Sequence, residues 1–400
     1  MSVKQKKAPL PAFVRKIQAT LTYWKTRTAR LDSEAMAKLD SERENLFQAI
    51  LFGQRLEAAW EDTAVIVWQI RYFVSQMGYW TDWMPIVEWV LETCHPSEQL
   101  TKFRLLIAYG EQLRNLGKLQ EATRLHESAL QIASQLDKPD LLIEASCVLG
   151  ETFIYQRKFE QAQIHCADAM ALLQQHNHDK AWQATALHLL GVIAFNNKEY
   201  ERSKSQLRAS SMLRRELAQP LPLARALSAL GSTYRASQDF IQAYDCYEEG
   251  LQLLASTVYG RDQIMLGINL GVLYDSQGKH EEAFLVFQQA YDSILARPAD
   301  ITFRAILTNN LGYVSLSLNQ LADAEFYLEQ AITVKRQQAE HSASLAYSIG
   351  TLGKVFAAKG DQEEALKLLD ESLAMLQLFE GDAWAKDLHA DFQTVKETLA

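Results

Sequence analysis

The sequence predicts an all-α protein built from repeated helical hairpins, and three observations support this class. First, the apolar residues lie three or four positions apart and show no strand-like alternation. Second, a small residue stands twelve positions after each member of a glycine series, and another seven positions further on. Third, those glycines recur at intervals of 40 or 41 residues: Gly110, Gly150, Gly191, Gly231, Gly271, Gly312 and Gly353.

Small side chains at these positions let the two antiparallel helices of a hairpin approach closely, and larger ones fill the adjacent holes. A mostly bulky residue lies between the two small residues of each unit: His126, Cys166, Leu207, Tyr247, Phe287, Leu328 and Leu369. We expect a left-handed helix cap at the turn inside each unit. The turn residues that suit such a cap are Gly117, Gly278, Gly360, Asn197, Asp239 and Asn319.

The amino-terminal segment differs from the rest in charge. Residues 1–31 carry eight Lys and Arg and no Asp or Glu, in a chain of net charge −9. We expect a disordered basic tail over residues 1–11 and amino-terminal helices over residues 12–56. Apolar residues such as Phe13, Ile17 and Leu21 are interleaved with the basic ones. This pattern favours an amphipathic helix packed on the repeats over a nucleic-acid-binding arm, so nucleic-acid binding is not expected.

A degenerate, aromatic-rich unit is predicted over residues 57–98, with helices at about 57–77 and 82–94 around Gly78. Five of the eight tryptophans fall here, and Trp83 takes the place of the first small residue. Two interpretations stay open. The indoles form the core of an end unit, or they form an exposed interface for another protein or a second copy. The interface residues would then be Trp80, Trp83 and Trp89.

Seven clear units are predicted over residues 99–380, followed by a capping helix over 381–400. The motif Leu230-Gly231-x-x-Tyr234, with Ala243 and Tyr247, and its successor Leu270-Gly271-x-x-Tyr274, with Ala283 and Phe287, resemble the tetratricopeptide repeat family. The 40–41-residue units are similar to those of kinesin light chains and bacterial signalling regulators. The resemblance implies a right-handed superhelix, an α-solenoid of about eight helical hairpins.

A second resemblance covers residues 40–91, which contain the segment Glu42-Arg43-Glu44-Asn45-Leu46. It is similar to the junction where the repeat sensor begins in multidomain regulatory NTPases of the STAND class. The chain has about forty residues before this segment and no phosphate-binding glycine-rich loop among them. The resemblance implies a sensor that either stands alone or was separated from a larger regulator.

The sequence contains no set of residues typical of an enzyme, because metalloprotease, nucleophile-elbow, phosphate-loop and dinucleotide motifs are all absent. We therefore expect no catalysis, no cofactor and no bound metal, and His176, His178 and Asp179 are interpreted as an exposed loop. Four widely separated cysteines and the lack of an apolar signal segment favour a reduced, cytoplasmic location. No membrane span is expected.

The resemblance implies that the first helix of each unit lines a concave groove. We expect a peptide or protein segment to bind there, with the chain serving as a sensor or adaptor in bacterial signalling or transcriptional regulation. Two alternatives are a small-molecule effector in the same groove and an oligomeric scaffold, such as a homodimer. The predicted groove residues are Arg104, Glu111, Arg114, Glu151, Tyr155, His188, Asn196, Arg225, Ser228, Arg235, Met265, Asp275, Asn309, Tyr313, Tyr347 and Lys354.

Overall fold

The computed structural model describes residues 11–175, 179–257, 260–295, 301–338, 342–379, 381 and 383–399. Over these residues the regular secondary structure is entirely helical. The chain divides into two compact units. Unit 1 comprises residues 1–239 and 252–262, and unit 2 comprises residues 240–251 and 263–400. None of the helices in the described part of the chain is long and apolar enough to cross a bilayer.

Six helices precede the first clear hairpin. They are α1 (Pro11–Arg27), α2 (Ser33–Ser41), α3 (Arg43–Gly53), α4 (Trp60–Gln69), α5 (Arg71–Met77) and α6 (Trp80–Glu92), with a short 3₁₀ turn over Glu57–Ala59. The next seven helices alternate in the expected way. They are α7 (Gln99–Asn115), α8 (Leu119–Leu136), α9 (Pro139–Tyr155), α10 (Phe159–Gln175), α11 (Lys180–Asn196), α12 (Tyr200–Glu216) and α13 (Pro220–Ala236).

Eight helices follow. They are α14 (Phe240–Leu254), α15 (Gly260–Ser276), α16 (His280–Leu295), α17 (Ile301–Ser317), α18 (Leu321–Gln338), α19 (Ala343–Lys359), α20 (Gln362–Gln377) and α21 (Ala383–Leu399). Consecutive helices pack in pairs, α7 with α8, α9 with α10 and α11 with α12 in unit 1, and α17 with α18 and α19 with α20 in unit 2. The predicted all-α fold of helical hairpins is therefore confirmed.

The turn inside every hairpin has one geometry. The residue seven positions after each repeat glycine has a positive φ between 57° and 83°: Gly117, Arg157, Lys198, Gln238, Gly278, Asn319 and Gly360. The following N–H bonds to the carbonyl five residues earlier, as from Lys118 N to Leu113 O at 2.9 Å. This is the hydrogen bond of a Schellman motif.

The expected left-handed cap is found at Asn319 and at the three glycines, but the expectation for Asn197 and Asp239 is wrong by one residue. The left-handed residues there are Lys198 and Gln238. The glycine packed against the second helix determines where the first helix ends. The position of the left-handed residue is therefore set by its distance from that glycine and not by its residue type. The side chain at that position then accepts the left-handed conformation at a cost of about 1 kcal/mol.

The repeat glycines lie where the two helices of a hairpin come closest. A Cβ added to Gly271 would stand 2.4 Å from Cε1 of Phe287, and one added to Gly191 would stand 2.6 Å from Cγ of Leu207. The bulky residue predicted from the sequence thus fills the space that the glycine leaves open. The same contact recurs at Gly110, Gly150, Gly312 and Gly353.

The basic amino-terminal segment forms α1, which packs on α3 and α4. Ile17, Leu21 and Trp24 are buried in this contact. Lys25 Nζ lies 2.6 Å from Asp62 Oδ1, and the two terminal nitrogens of Arg27 lie 2.7 and 2.6 Å from the carboxylate oxygens of Glu42. Because partly exposed ion pairs contribute at most about 1 kcal/mol each, apolar burial supplies most of the stability of this contact. The predicted tail lies outside the described residues except for Pro11, where α1 begins.

The aromatic-rich region departs from the predicted pair of helices. The first predicted helix is divided into the 3₁₀ turn, α4 and α5, with α5 beginning after Ile70 and ending at the left-handed Gly78. The carbonyl of Val67 lies in the last turn of α4, where carbonyls lack helical partners. The indole Nε1 of Trp83 donates a 3.0 Å hydrogen bond to it. Trp83 therefore completes the end of α4 from inside the core.

Candidate functional site

In unit 1 the first helices of successive hairpins place charged and aromatic side chains beside one another. Arg114 on α7 forms a 3.0 Å ion pair with Glu151 on α9, and its guanidinium lies 5.3 Å from the ring centroid of Tyr155. Arg114 itself is buried, whereas Tyr155 is 54% exposed. Three of the predicted groove residues therefore do converge. We refer to this face of α7, α9, α11 and α13 as the inner face.

Arg225, on α13, is held by a residue that sequence reasoning missed. Its Nε lies 2.6 Å from Asp262 Oδ1, and its Nη2 lies 3.1 Å from Asp262 Oδ2. Gln76 Nε2 on α5 also donates to Asp262 Oδ2, at 3.3 Å. Next to it, the guanidinium of Arg261 lies 5.3 Å from the ring of Trp80. Helices α5 and α6 therefore contact the first turn of α15, although Gln76 and Asp262 are 186 residues apart in the sequence.

The pKa values on the inner face are shifted mainly by desolvation. Burial raises the pKa of Glu144 to about 7, Glu111 adds to that shift, and Arg71 and Arg104 oppose it. Burial also raises the pKa of Glu111 and of Tyr155, and it lowers the pKa of His188 to about 4. Tyr155 is nonetheless half exposed. Exposure of the ring together with desolvation of its hydroxyl fits a concave surface, where a side chain contacts nearby water while the surrounding helices exclude bulk solvent.

Four other predicted inner-face residues of unit 1 lie at partly or fully exposed positions. Asn196 Nδ2 donates to Val192 O of its own helix at 2.9 Å, and it is partly exposed. Ser228 and Arg235 on α13 are also partly exposed. Arg104 is exposed and stacks on the indole of Trp68 at 4.9 Å. Trp68 stood out in the sequence only as one of several tryptophans, and nothing there indicated its contact with Arg104.

Two of the tryptophans predicted as an interface are buried. Trp83 is fully enclosed and Trp80 is nearly so, while Trp89 is partly buried. The structure therefore corrects the surface prediction at Trp80 and Trp83. The physical reason is that both indoles pack into the apolar core that the amino-terminal helices share with α7, and the N–H of Trp83 is satisfied there by the Val67 carbonyl. The interpretation as the aromatic core of an end unit accounts for them.

In unit 2 the predicted residues form two groups, one of exposed or charged side chains and one of tyrosines. Met265 is exposed, Asp275 lies 3.0 Å from His280, and Lys354 is paired with Asp391 of α21 at 2.5 Å. The ring centroid of Tyr347 lies 6.3 Å from that of Tyr313 and 5.7 Å from that of Trp384. These tyrosines form an aromatic row that the carboxy-terminal helix extends.

Asn309 is a correction to the predicted groove. Its side chain is buried and accepts a hydrogen bond from Ser348. Lys335 donates to the same serine at 2.7 Å and to Ser344 O at 2.9 Å. Burial lowers the pKa of Lys335 to about 7. Asn309 thus belongs to a polar network inside the packed helices, which a periodicity argument cannot distinguish from an inner-face position.

The described residues contain no group of three or more His, Cys, Asp or Glu side chains placed to hold a metal ion. His176 and His178 lie outside the described residues. Asp179 caps α11 by accepting a hydrogen bond from Ala181 N at 2.8 Å.

Comparison with known proteins identifies the repeats. The model of the tetratricopeptide repeat family matches residues 222–294 and 303–377. The kinesin light chain-related protein 3 of Arabidopsis thaliana is 21% identical over 286 residues, which are 70% of this chain and 44% of that protein. The chain thus spans less than half the length of that relative.

Two solved structures share the fold over most of the chain. A Signal Transduction ATPase with Numerous Domains from Pyrococcus horikoshii, which has a tetratricopeptide repeat sensor, has a TM-score of 0.56 at 14% identity, covering 88% of this chain and 55% of its own. NprR in complex with its cognate peptide NprX has a TM-score of 0.53 at 13% identity, covering 75% and 84%. Residues 222–294 and 303–377 are therefore tetratricopeptide repeats, and the chain has the all-α fold of tetratricopeptide-repeat proteins.

Proposed function

We propose that the chain is a non-catalytic interaction module that binds a peptide or protein segment on the inner face of unit 1. The observation that carries the proposal is the convergence of Arg114, Glu151 and Tyr155 with Arg225 and its partner Asp262. The charged groups hold one another in fixed positions. The exposed aromatic ring of Tyr155 is then left for a ligand, and an aromatic ring among charged groups suits an extended or helical peptide.

The fold comparison supports a peptide ligand, because NprR, which shares the fold, was solved in complex with its cognate peptide. A sensor role is supported by the similarity to the repeat sensor of the Pyrococcus protein. We therefore extend the proposal to a sensor or adaptor that passes the presence of the peptide to a signalling or transcriptional partner. The four cysteines are free thiols, which supports action in the cytoplasm.

Tyr155 provides the test of this proposal. We expect Tyr155→Ala to weaken binding at least tenfold for a peptide selected against the wild-type chain from a random displayed library. The reason is that a half-exposed aromatic ring between fixed charges is the type of side chain that dominates interface energy. The measurement is fluorescence anisotropy of the labelled peptide.

Ile164→Ala is the matched control, since Ile164 is 60% exposed and lies on the second helix of the same hairpin. We expect it to leave the affinity unchanged. Equal affinities for wild type and Tyr155→Ala would place the peptide elsewhere and overturn the assignment of the inner face. A wild-type chain that selects no peptide, but melts at a higher temperature in a metabolite extract, would replace the peptide by a small molecule.

A further inference from the structure

Two arginines stack on one indole at the amino-terminal edge of the inner face. The guanidinium carbon of Arg71 lies 4.2 Å from the ring centroid of Trp68, and that of Arg104 lies 4.9 Å from it. Arg71 donates to the carbonyl of Trp68 at 3.1 Å. Among the residues that the structure describes, neither guanidinium lies within 4.0 Å of a carboxylate. Two cations thus share one ring, and in the described part of the chain neither has an ion-pair partner, although Arg71 also lies 4.3 Å from the ring centroid of Tyr72.

An indole face attracts a cation but does not neutralise it. A guanidinium that stacks on a ring keeps its N–H edge free for two parallel hydrogen bonds to an anion. Arg71 comes from α5, Trp68 from α4 and Arg104 from α7, so packing of three helices positions the pair. The carboxyl groups of Glu111 and Glu144 interact with Arg71 through space, but in the described part of the chain neither of them forms an ion pair with it.

We propose that Trp68, Arg71 and Arg104 form an anion subsite of the inner face, which binds a carboxylate of the peptide ligand. This inference rests on the function proposed above and specifies the chemistry of its ligand. A singly charged carboxylate fits better than a doubly charged phosphate, because the carboxyl group of Glu144 interacts with both arginines and that of Glu111 interacts with Arg71. A dianion would meet stronger repulsion from them.

Glu144 couples this subsite to pH. The charged groups that interact with its carboxyl are Glu111 and Arg104 on α7 and Arg71 on α5. Since the pKa of Glu144 is raised to about 7, the group is partly protonated near neutrality. An anion between the two arginines disfavours the ionised carboxyl and raises this pKa further. Binding therefore takes up a proton, and affinity rises as the pH falls from about 8 to about 6.

The experiment uses the library-selected peptide in three forms, with a free carboxy terminus, with an amidated terminus, and with its Asp and Glu replaced by Asn and Gln. We expect one neutralised form to bind the wild-type chain at least tenfold more weakly, and that form identifies which carboxylate is recognised. Arg71→Gln/Arg104→Gln should weaken the free-acid peptide by a similar factor and abolish its advantage over that neutralised form. Arg124→Gln, at an exposed arginine on α8, is the control for removing a surface positive charge away from the indole and should have no effect.

If the arginine variants weaken all three peptide forms equally, or none, the subsite is wrong while the groove proposal stands. Weaker binding of all three peptide forms by Tyr155→Ala, with the difference between the forms retained, supports both proposals. Glu144→Gln should tighten binding of the free-acid peptide and remove its pH dependence. Weaker binding in Glu144→Gln would instead make Glu144 a direct partner of the ligand and overturn the proton uptake. Circular dichroism of every variant checks that the helices remain folded.

Discussion

Gly271→Ala is expected to lower the free energy of unfolding by about 2–3 kcal/mol, although alanine is the better helix former. The added Cβ would stand 2.4 Å from Cε1 and 2.7 Å from Cδ1 of Phe287. Phe287 is 1% exposed and closely packed, so its ring cannot move without displacing α16. The measurement is the urea midpoint followed by the helical circular dichroism signal.

Gly267→Ala is the matched control, one helical turn earlier on α15. A Cβ there would meet only the Cβ of Ala290, at an ordinary 3.7 Å. We expect this variant to be as stable as the wild type or more stable by up to about 1 kcal/mol, because only the helix propensity changes. Similar destabilisation by both variants would show that the lack of room for a Cβ at position 271 is not the reason for glycine there.

A double-mutant cycle sharpens the assignment. Phe287→Ala alone should cost about 3–5 kcal/mol through lost burial and a cavity. In Gly271→Ala/Phe287→Ala the new Cβ fills part of that cavity instead of clashing, so the double variant should be more stable than the sum of the single effects predicts. Strict additivity would mean that the two residues do not share one packing site.

The same contact explains why the fold could be predicted so fully from the sequence. Each repeat glycine, its bulky partner sixteen residues later and the left-handed turn seven residues later are local consequences of one hairpin geometry. Because this hairpin geometry repeats, the residues that it requires recur periodically in the sequence. The helices and turns of the repeats can therefore be predicted from that period. The exact left-handed residue could not be read from residue type at Lys198 and Gln238, because the spacing overrides the preference for Asn, Asp or Gly.

The site could be predicted only in part, since its connections are not periodic. Arg114, Glu151 and Tyr155 follow from the positions that first helices present to the inner face. The contact of Gln76 with Asp262 spans 186 residues and depends on how successive hairpins are oriented. The burial of Asn309 and Trp83 depends on side chains from neighbouring helices. Such contacts depend on how each hairpin is rotated relative to the next, and no single residue of the sequence indicates them.

His126 should make unit 1 sensitive to acid. It fills the bulky position opposite Gly110, and it is completely buried. Its Nδ1 lies 2.9 Å from Thr152 Oγ1, and its Nε2 lies 3.3 Å from Ile107 O. The Ile107 carbonyl only accepts, so the single N–H of the neutral ring suits Nε2, while the Thr152 hydroxyl beside Nδ1 also lies 2.9 Å from Val148 O as a donor. Burial lowers its pKa to about 3, and the nearby Arg114 adds to this shift.

The sign of the effect follows from this lowered pKa. The folded chain holds His126 neutral, whereas the unfolded chain takes up a proton near pH 6.5. The contribution of His126 to stability is therefore fully present above about pH 6.5 and is lost as the pH falls toward about 3. Between pH 7.5 and pH 4.5 the loss should reach about 3 kcal/mol. The measurement is the urea midpoint as a function of pH.

His126→Leu isolates this contribution from the carboxyl groups that also titrate in acid. Leucine occupies the same position at Leu207 and Leu328, so the hairpin geometry accepts it. We expect the variant to keep the acid sensitivity of its carboxyl groups and to lose the part that begins near pH 6.5. Parallel curves for variant and wild type would mean that the imidazole accepts its proton in the fold.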